Sequence, residues 1–352
     1  MRNLKRALSL AVAAVMVIGM TVIGSGAVSY DDVSSEHNQE AIDVLQAIGV
    51  MVGDGESFNP DQNVTREEMA VIMCNLLDYT VSSYQGLTRF TDVSDWARPY
   101  VEACYTNGII AGYSDTQFGG ADPVTTGQAG LMIMKALGYF QEMGDFGSDW
   151  LVATVSQGAQ IQLFDGVDKG ANGALTRNDV AQMVLNALEA QCVRISSHDL
   201  VSDGMGGFTT KAVYTARTSS DDQYAKITDE TSPYNQYYTI QLGEELFGGD
   251  LEKCGSQDAF VRPSTTWRYR SSEIGTYSDS PDYTYVGKVS KGALYSDLGR
   301  SIYNNINSNN IGTADPDNGK YGVTVFVDGA PQTVTRDSLL ASNSSGHITE
   351  TA

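Results

Sequence analysis

An internal repeat constrains this chain more than any other feature. Three successive segments follow one plan. The first runs from Tyr30-Asp31-Asp32-Val33 through Ile48-Gly49-Val50-Met51-Val52-Gly53-Asp54-Gly55 to Val64-Thr65-Arg66-Glu67-Glu68-Met69-Ala70. The second runs from Phe90-Thr91-Asp92-Val93 and Trp96 through Asn107-Gly108-Ile109-Ile110-Ala111-Gly112-Tyr113-Ser114-Asp115 to Val124-Thr125-Thr126-Gly127-Gln128. A third, more worn copy has Asp149-Trp150, then Ile161 to Gly166, then Leu175-Thr176-Arg177-Asn178-Asp179-Val180-Ala181. Thr65, Thr125 and Thr176 lie 60 and 51 residues apart.

Each segment predicts a helix, a glycine-rich loop and a second helix. Ala41, Ile42, Leu45 and Ile48 recur at helical spacing and Gly49 ends the run. The second helices start at the threonines. Thr65 with Glu68, Thr125 with Gln128 and, in weaker form, Thr176 with Asp179 make capping boxes. Met69, Ile72, Met73, Leu76 and Leu77 then line one face, as do Leu131, Met134, Ala136 and Leu137, and Val180, Met183, Val184, Ala187 and Leu188. Methionines at this spacing read as core. One helix pair is too small to bury its own apolar face, whereas three can cover one another. The prediction is a single unit within 28–193, with copies at about 30–80, 88–140 and 147–193, approximate threefold repetition and grooves between neighbours.

Charge narrows the function. The net charge is −21, which argues against nucleic acid as a partner, because phosphates need Lys and Arg. Residues 30–193 hold only six basic residues (Arg66, Arg89, Arg98, Lys135, Lys169, Arg177) against 23 acidic ones. Two of the six, Arg66 and Arg177, fall at the same repeat position. A guanidinium at a helix N-terminus adds like charge to the macrodipole unless something anionic is near. A carboxylate ligand would resolve that through two parallel hydrogen bonds. Pairing with neighbouring Asp or Glu is the alternative.

The N-terminus reads as an export signal over residues 1–27. Arg2, Lys5 and Arg6 precede an uncharged apolar run from Ala7 to Ile23, and Ser25-Gly26-Ala27 offers a cleavage site. Cys74, Cys104, Cys192 and Cys254 form no CxxC pair; Cys74 and Cys104 sit in apolar helical patterns where buried free thiols are expected, with a disulfide, which the sequence alone does not assign, as the alternative in an exported protein. His37, His198 and His347 are scattered, so no metal site is expected. The run from Asp168 to Gly173 only faintly resembles a calcium loop, because Gly170 stands where a carboxylate belongs. No catalytic motif and no cofactor signature appears.

The ordered set of an aromatic residue with Asp-Val, a Trp-bearing helix, Gly108-Ile109-Ile110-Ala111-Gly112-Tyr113, a loop Asp and Phe, and a Thr-Arg-x-Glu helix start resembles the S-layer homology (SLH) repeat. The resemblance covers about half of the chain. It implies a three-pronged α-helical domain that holds exported proteins on the cell wall by binding a secondary cell-wall polysaccharide or a peptidoglycan-linked glycan. That ligand is pyruvylated in many members, and the basic residue of the motif meets its acid group. By position, the ligand-binding residues implied are Thr65, Arg66 and Glu68, with Thr176 and Arg177. Copy two departs from the pattern, with Thr126 where the arginine belongs. Copy one has no Trp, and His37-Asn38 lies near the position of Trp96. The loop residues Asp54, Tyr113 and Asp115 and the helix-start indoles Trp96 and Trp150 are further candidates, since sugars stack on aromatic rings.

After Val193 the composition turns to Ser, Thr, Tyr, Asn and Gly. Short β-branched or alternating runs at 208–216, 237–242, 283–289 and 321–327 predict strands, with a hairpin around Asp328-Gly329. The expected fold class is thus an α-helical SLH trimer followed by a separate, mainly β region over 194–352, which the resemblance allows to be the front of a longer protein. The expected role is a non-enzymatic anchor at the extracellular surface. The alternatives are a self-associating S-layer lattice subunit and a wall-active enzyme with its catalytic part in 194–352.

Overall fold

Two helices and a connecting loop form in each copy, as the apolar periodicity predicts. The computed structural model describes residues 30–86, 88–202, 207–219, 238–258, 262–278, 281, 283–305, 310–311, 325–327, 330–331 and 334–342. The export segment expected at 1–27 lies outside the described residues. Copy one contributes α1 (Gln39–Ala47) and α2 (Arg66–Leu76), copy two α3 (Arg98–Thr106) and α4 (Thr126–Ala136), and copy three α5 (Trp150–Gln160) and α6 (Arg177–Glu189). Most of the expected apolar positions are buried: Ala41, Ile42 and Leu45 on α1, Met69, Ile72, Met73 and Leu76 on α2, Met134 on α4, and Val180, Met183, Val184, Ala187 and Leu188 on α6, whereas Ile48, Leu77, Leu131 and Ala136 are only half-buried. Each of the Val, Leu, Ile and Met side chains contributes about 1.5–3 kcal/mol when fully withdrawn from water.

The partner of each helix comes from a neighbouring copy. The second helix of one copy packs on the first helix of the next: α2 on α3, α4 on α5, and α6 back on α1. Backbone hydrogen bonds follow the same circuit. Val64 N–H donates to the Leu175 carbonyl at 2.9 Å, Leu175 N–H to Val124 at 3.0 Å, and Val124 N–H to Val64 at 2.8 Å. The residues just before the three capping threonines therefore close a ring of three bonds, in which no copy can be removed without orphaning a buried N–H of another.

The chain divides into two compact units, residues 1–254 with 266–275, and residues 255–265 with 276–352. The first unit thus extends past Val193, where the composition changes. In it, β1 (Val193–Ser202) and β2 (Phe208–Ala216) form an antiparallel ribbon from Val193↔Ala216 to Ser202↔Phe208. The buried Asp145 carboxylate docks this ribbon, accepting from Ala212 N–H and Tyr214 O–H as well as Glu142 N–H. Two-residue strands β3 (Thr218–Ser219) and β4 (Tyr238–Thr239) pair next. Helix α7 (Leu242–Phe247) follows, where a strand reaching residue 242 was predicted; a capping box between Gln241 and Glu244 turns the chain into a helix there. Strands β5 (Leu251–Gln257), β6 (Pro263–Tyr269) and β7 (Ser272–Ser278) form a three-stranded sheet in that order, of which residues 251–254 and 266–275 belong to the first unit. Its Trp267 is fully buried and donates from Nε1 to Glu40 on α1 at 2.6 Å.

In the second unit, Val289, Leu294, Tyr303 and Leu340 gather into a small core. Helix α8 (Lys291–Asn305) is broken at Gly299, whose φ of 70° no ordinary helical residue adopts. The remaining described elements are β8 (Asn310–Ile311), β9 (Phe326–Val327), β10 (Ala330–Pro331), β11 (Val334–Thr335) and α9 (Arg336–Leu339). The predicted run at 208–216 is β2 itself. Residues 283–289 form no strand among the described residues, only a bridge from Val289 to Leu340. β9 pairs with β10 on either side of the predicted turn, whose residues 328–329 lie outside the described residues, and Val334 pairs with Ile311. Of the run 321–327, residues 321–324 lie outside the described residues.

Candidate functional site

The capping boxes fix where each second helix begins. Thr65, Thr125 and Thr176 accept from the N–H of Glu68, Gln128 and Asp179, and each of these side chains accepts in return from the threonine N–H. All three boxes are complete, including the third, whose shorter Asp179 also takes the Thr176 hydroxyl at 2.9 Å. The first helical residue then follows at a fixed place and enters the loop of the next copy. Backbone N–H groups make that joint: Arg66 and Glu67 donate to Asp122 and Gly120, Thr126 and Gly127 to Gly173 and Ala171, and Arg177 and Asn178 to Gln62 and Pro60.

Two of the three joints hold an arginine. Arg66 is only 4% exposed; its Nε donates to the Phe118 carbonyl at 3.0 Å and its Nη2 to Ala111 at 2.9 Å. Its guanidinium lies 4.7 Å from the Tyr113 ring and 4.5 Å from the Phe118 ring. Arg177, 6% exposed, repeats the arrangement, with Nε to Phe58 at 2.7 Å, Nη2 to Val52 at 2.9 Å, and the Phe58 ring at 4.6 Å. Burial pushes both guanidinium pKa values down. Tyr113, Asp122 and Asp92 act against this for Arg66, and Glu68, Tyr30, Asp32 and Asp54 for Arg177. Neither forms a salt bridge among the described residues. In each, Nη1 has no hydrogen-bond partner there and is not sealed from solvent. The alternative in which these arginines are consumed by the protein's own carboxylates does not hold. Half of each fork is anchored on loop carbonyls, and the other half is open to an acceptor.

The loops that receive the arginines are held by the Asp of each Asp-Val. Asp32 accepts from Phe58 and Asn59 N–H, and Asp92 from Phe118 and Gly119 N–H, at 2.6–2.8 Å. Gly53 and Gly112 allow close passage, since a Cβ at either would sit 2.4 Å from the ring of Tyr30 or Phe90. Asp54 accepts from Ser57 and Glu56 N–H, and these bonds hold its carboxyl pKa below the ordinary range. The residue doing this in copy two is Ser114, whose hydroxyl accepts from Gln117 and Thr116 N–H. Asp115 is exposed and is not the counterpart of Asp54. The copy-two loop is one residue longer between its glycine and Gln117, and Tyr113 is the extra residue that brings a second ring to Arg66.

The third joint is built differently. Thr126 is 3% exposed and its hydroxyl reaches only the Gly173 carbonyl at 3.4 Å. The shared hydrogen-bond register places Lys169 where copies one and two have Phe58 and Phe118, so the cation moves from helix to loop and the ring is lost. Leu151 presses against Gly127, and Phe164 against Gly130 and Gly158, filling this joint with apolar side chains. Sequence reasoning missed Lys169 as a position, although it lies seven residues before its capping threonine, as Phe58 and Phe118 do. It also missed Glu67, whose buried carboxylate accepts from Ser94 N–H at 2.7 Å at the approach to α3. Trp96 is half-buried in the turn before α3, and Trp150 opens α5 and is 42% exposed. Neither indole stacks on Arg66 or Arg177.

Residues 29–70 and 89–129 match the S-layer homology domain. The chain carries two segments of the S-layer homology (SLH) type. The two matched SLH segments coincide with copies one and two. Among similar proteins, a middle cell wall protein of Brevibacillus brevis is 28% identical over 155 residues, 43% of this chain and 14% of that protein. A cell surface protein of Thermoanaerobacter kivui is 25% identical over 234 residues, 63% of this chain and 30% of that protein. An endo-1,4-beta-xylanase A of Thermoanaerobacterium saccharolyticum is 33% identical over 88 residues, 24% of this chain and 7% of that protein. The chain thus spans less than a third of the length of these curated relatives.

Proposed function

We propose that this chain is a non-catalytic anchor that sits on the bacterial cell surface and binds an acidic secondary wall polysaccharide, of the pyruvylated kind, through two arginine clefts. The carrying observation is the repeated half-used guanidinium. Arg66 and Arg177 occupy equivalent places, each fixed by two carbonyls and backed by a ring, each with one nitrogen unengaged. A carboxylate on a sugar fits that nitrogen as a charge-assisted hydrogen bond, and the apolar sugar face fits Tyr113, which is 57% exposed. The circuit of helix packing and the ring of Val64, Val124 and Leu175 support a pseudo-threefold arrangement of the copies around these clefts. The acidic surface repels a polyanion only within about 8 Å at physiological salt, so donors recessed in a cleft still prevail. SLH proteins named for cell walls and cell surfaces are consistent with this location.

Sedimentation of the full chain with purified walls tests the reading. Binding is expected before chemical removal of the secondary polysaccharide and not after it. Undiminished binding to stripped walls would move the ligand to the peptidoglycan itself.

A further inference from the structure

Cys74 and Cys104 come from different copies, on helices α2 and α3 that pack against each other. Both are buried, and their sulfurs lie 3.4 Å apart. Each thiol has only a weak partner, Cys74 Sγ to the Tyr100 carbonyl and Cys104 Sγ to Ala70, both at 3.4 Å. A disulfide needs its sulfurs at about 2.05 Å, a further approach of about 1.4 Å. Among the described residues no such sulfur contact exists for Cys192 or Cys254.

We infer that Cys74 and Cys104 become a disulfide that staples copy one to copy two when the chain is exported. This rests on the surface location proposed above, because disulfides persist in oxidising compartments. The oxidant is a disulfide of the thiol–disulfide exchange class. One Cys thiolate attacks it, forming a mixed disulfide and releasing one thiolate; the second Cys thiolate then displaces the other. The two cysteines lose two protons and two electrons, and the oxidant gains them as a dithiol. Exchange has to precede closure of the α2–α3 contact. In the folded chain the hydrogen bond to Cys74, with burial, raises the Cys104 thiol pKa well above its ordinary value, which leaves little thiolate to react. The bond closes the segment between Cys74 and Cys104 and ties α2, which begins at Arg66, to α3, which leads into the copy-two loop, without touching the ligand.

The test uses full-length chain collected after export, unfolded in denaturant with an alkylating reagent, with and without prior reduction. Intact mass is expected to show two alkyl groups without reduction and four after it, with a peptide joining Cys74 to Cys104. Four alkyl groups without reduction, or a link to Cys192 or Cys254, overturns the inference. Reduction is expected to lower the Tm by roughly 5–10 °C, and a Cys74→Ala/Cys104→Ala variant is expected to be insensitive to reductant. Wall binding is measured on the same samples. Four free thiols with intact binding removes the staple alone, and a linked pair without binding removes the glycan reading alone.

Discussion

The arginine joints and the threonine joint share a backbone and differ in what fills it. In all three, two N–H groups at the start of a second helix donate to two carbonyls of the next loop. Arg66 and Arg177 add a buried cation backed by a ring, whereas the joint of Thr126 is plugged by Leu151 and Phe164 and carries its cation, Lys169, on the exposed loop. The backbone register therefore holds the copies together without the arginines. Burying a guanidinium with no carboxylate within 4 Å costs stability that the third joint shows the fold does not require. That contrast supports the proposal that Arg66 and Arg177 serve a ligand rather than the fold.

The contrast can be broken most strongly at Arg66. Arg66→Ala is expected to weaken binding to wall polysaccharide about 30-fold or more, and Thr126→Ala to leave it nearly unchanged; equal loss in the two variants would erase the distinction. Thr126→Arg together with Lys169→Phe restores both halves of the arginine joint and is expected to raise the number of sites counted by calorimetry, while Thr126→Arg alone is not. Thr65→Ala removes a capping box and is expected to cost about 1 kcal/mol in denaturant unfolding, similar to Thr125→Ala, because capping belongs to all three joints. The smallest effect lies at Glu67. Burial raises its carboxyl pKa above the ordinary 4.5, outweighing the Ser94 hydrogen bonds, with Glu68 and Asp92 adding to the rise. The folded state thus holds the proton more tightly than the unfolded one, and stability falls as pH climbs from 4.5 through the raised value. Glu67→Gln keeps an acceptor for Ser94 and is expected to raise the Tm at pH 7, with the gain shrinking as pH falls through the raised value towards 4.5. A gain independent of pH would assign the effect to packing.

Local features were legible in the sequence. Helical spacing and the Thr-x-x-Glu, Thr-x-x-Gln and Thr-x-x-Asp boxes located the second helices, because capping is a contest among four adjacent residues. Partner choice was not legible. Periodicity shows that α2 has an apolar face but not that α3 of the next copy covers it. Nor does spacing show that Arg66 bonds carbonyls of copy two, which depends on a loop closing some fifty residues away. The equivalence of Ser114 with Asp54 was not legible, because one inserted residue, Tyr113, shifts the loop and passes the turn-holding role of Asp54 to Ser114. Beyond Val193 the Gln241–Glu244 box overrode strand propensity, a local signal that was present and outweighed by the β-branched residues around it.

Calorimetric titration of the full chain with a purified acidic fragment of the wall polysaccharide tests the two-cleft account most directly. Two sites per chain are expected, and none in a folded Arg66→Ala/Arg177→Ala variant. Two sites of unchanged affinity in that variant would contradict the account.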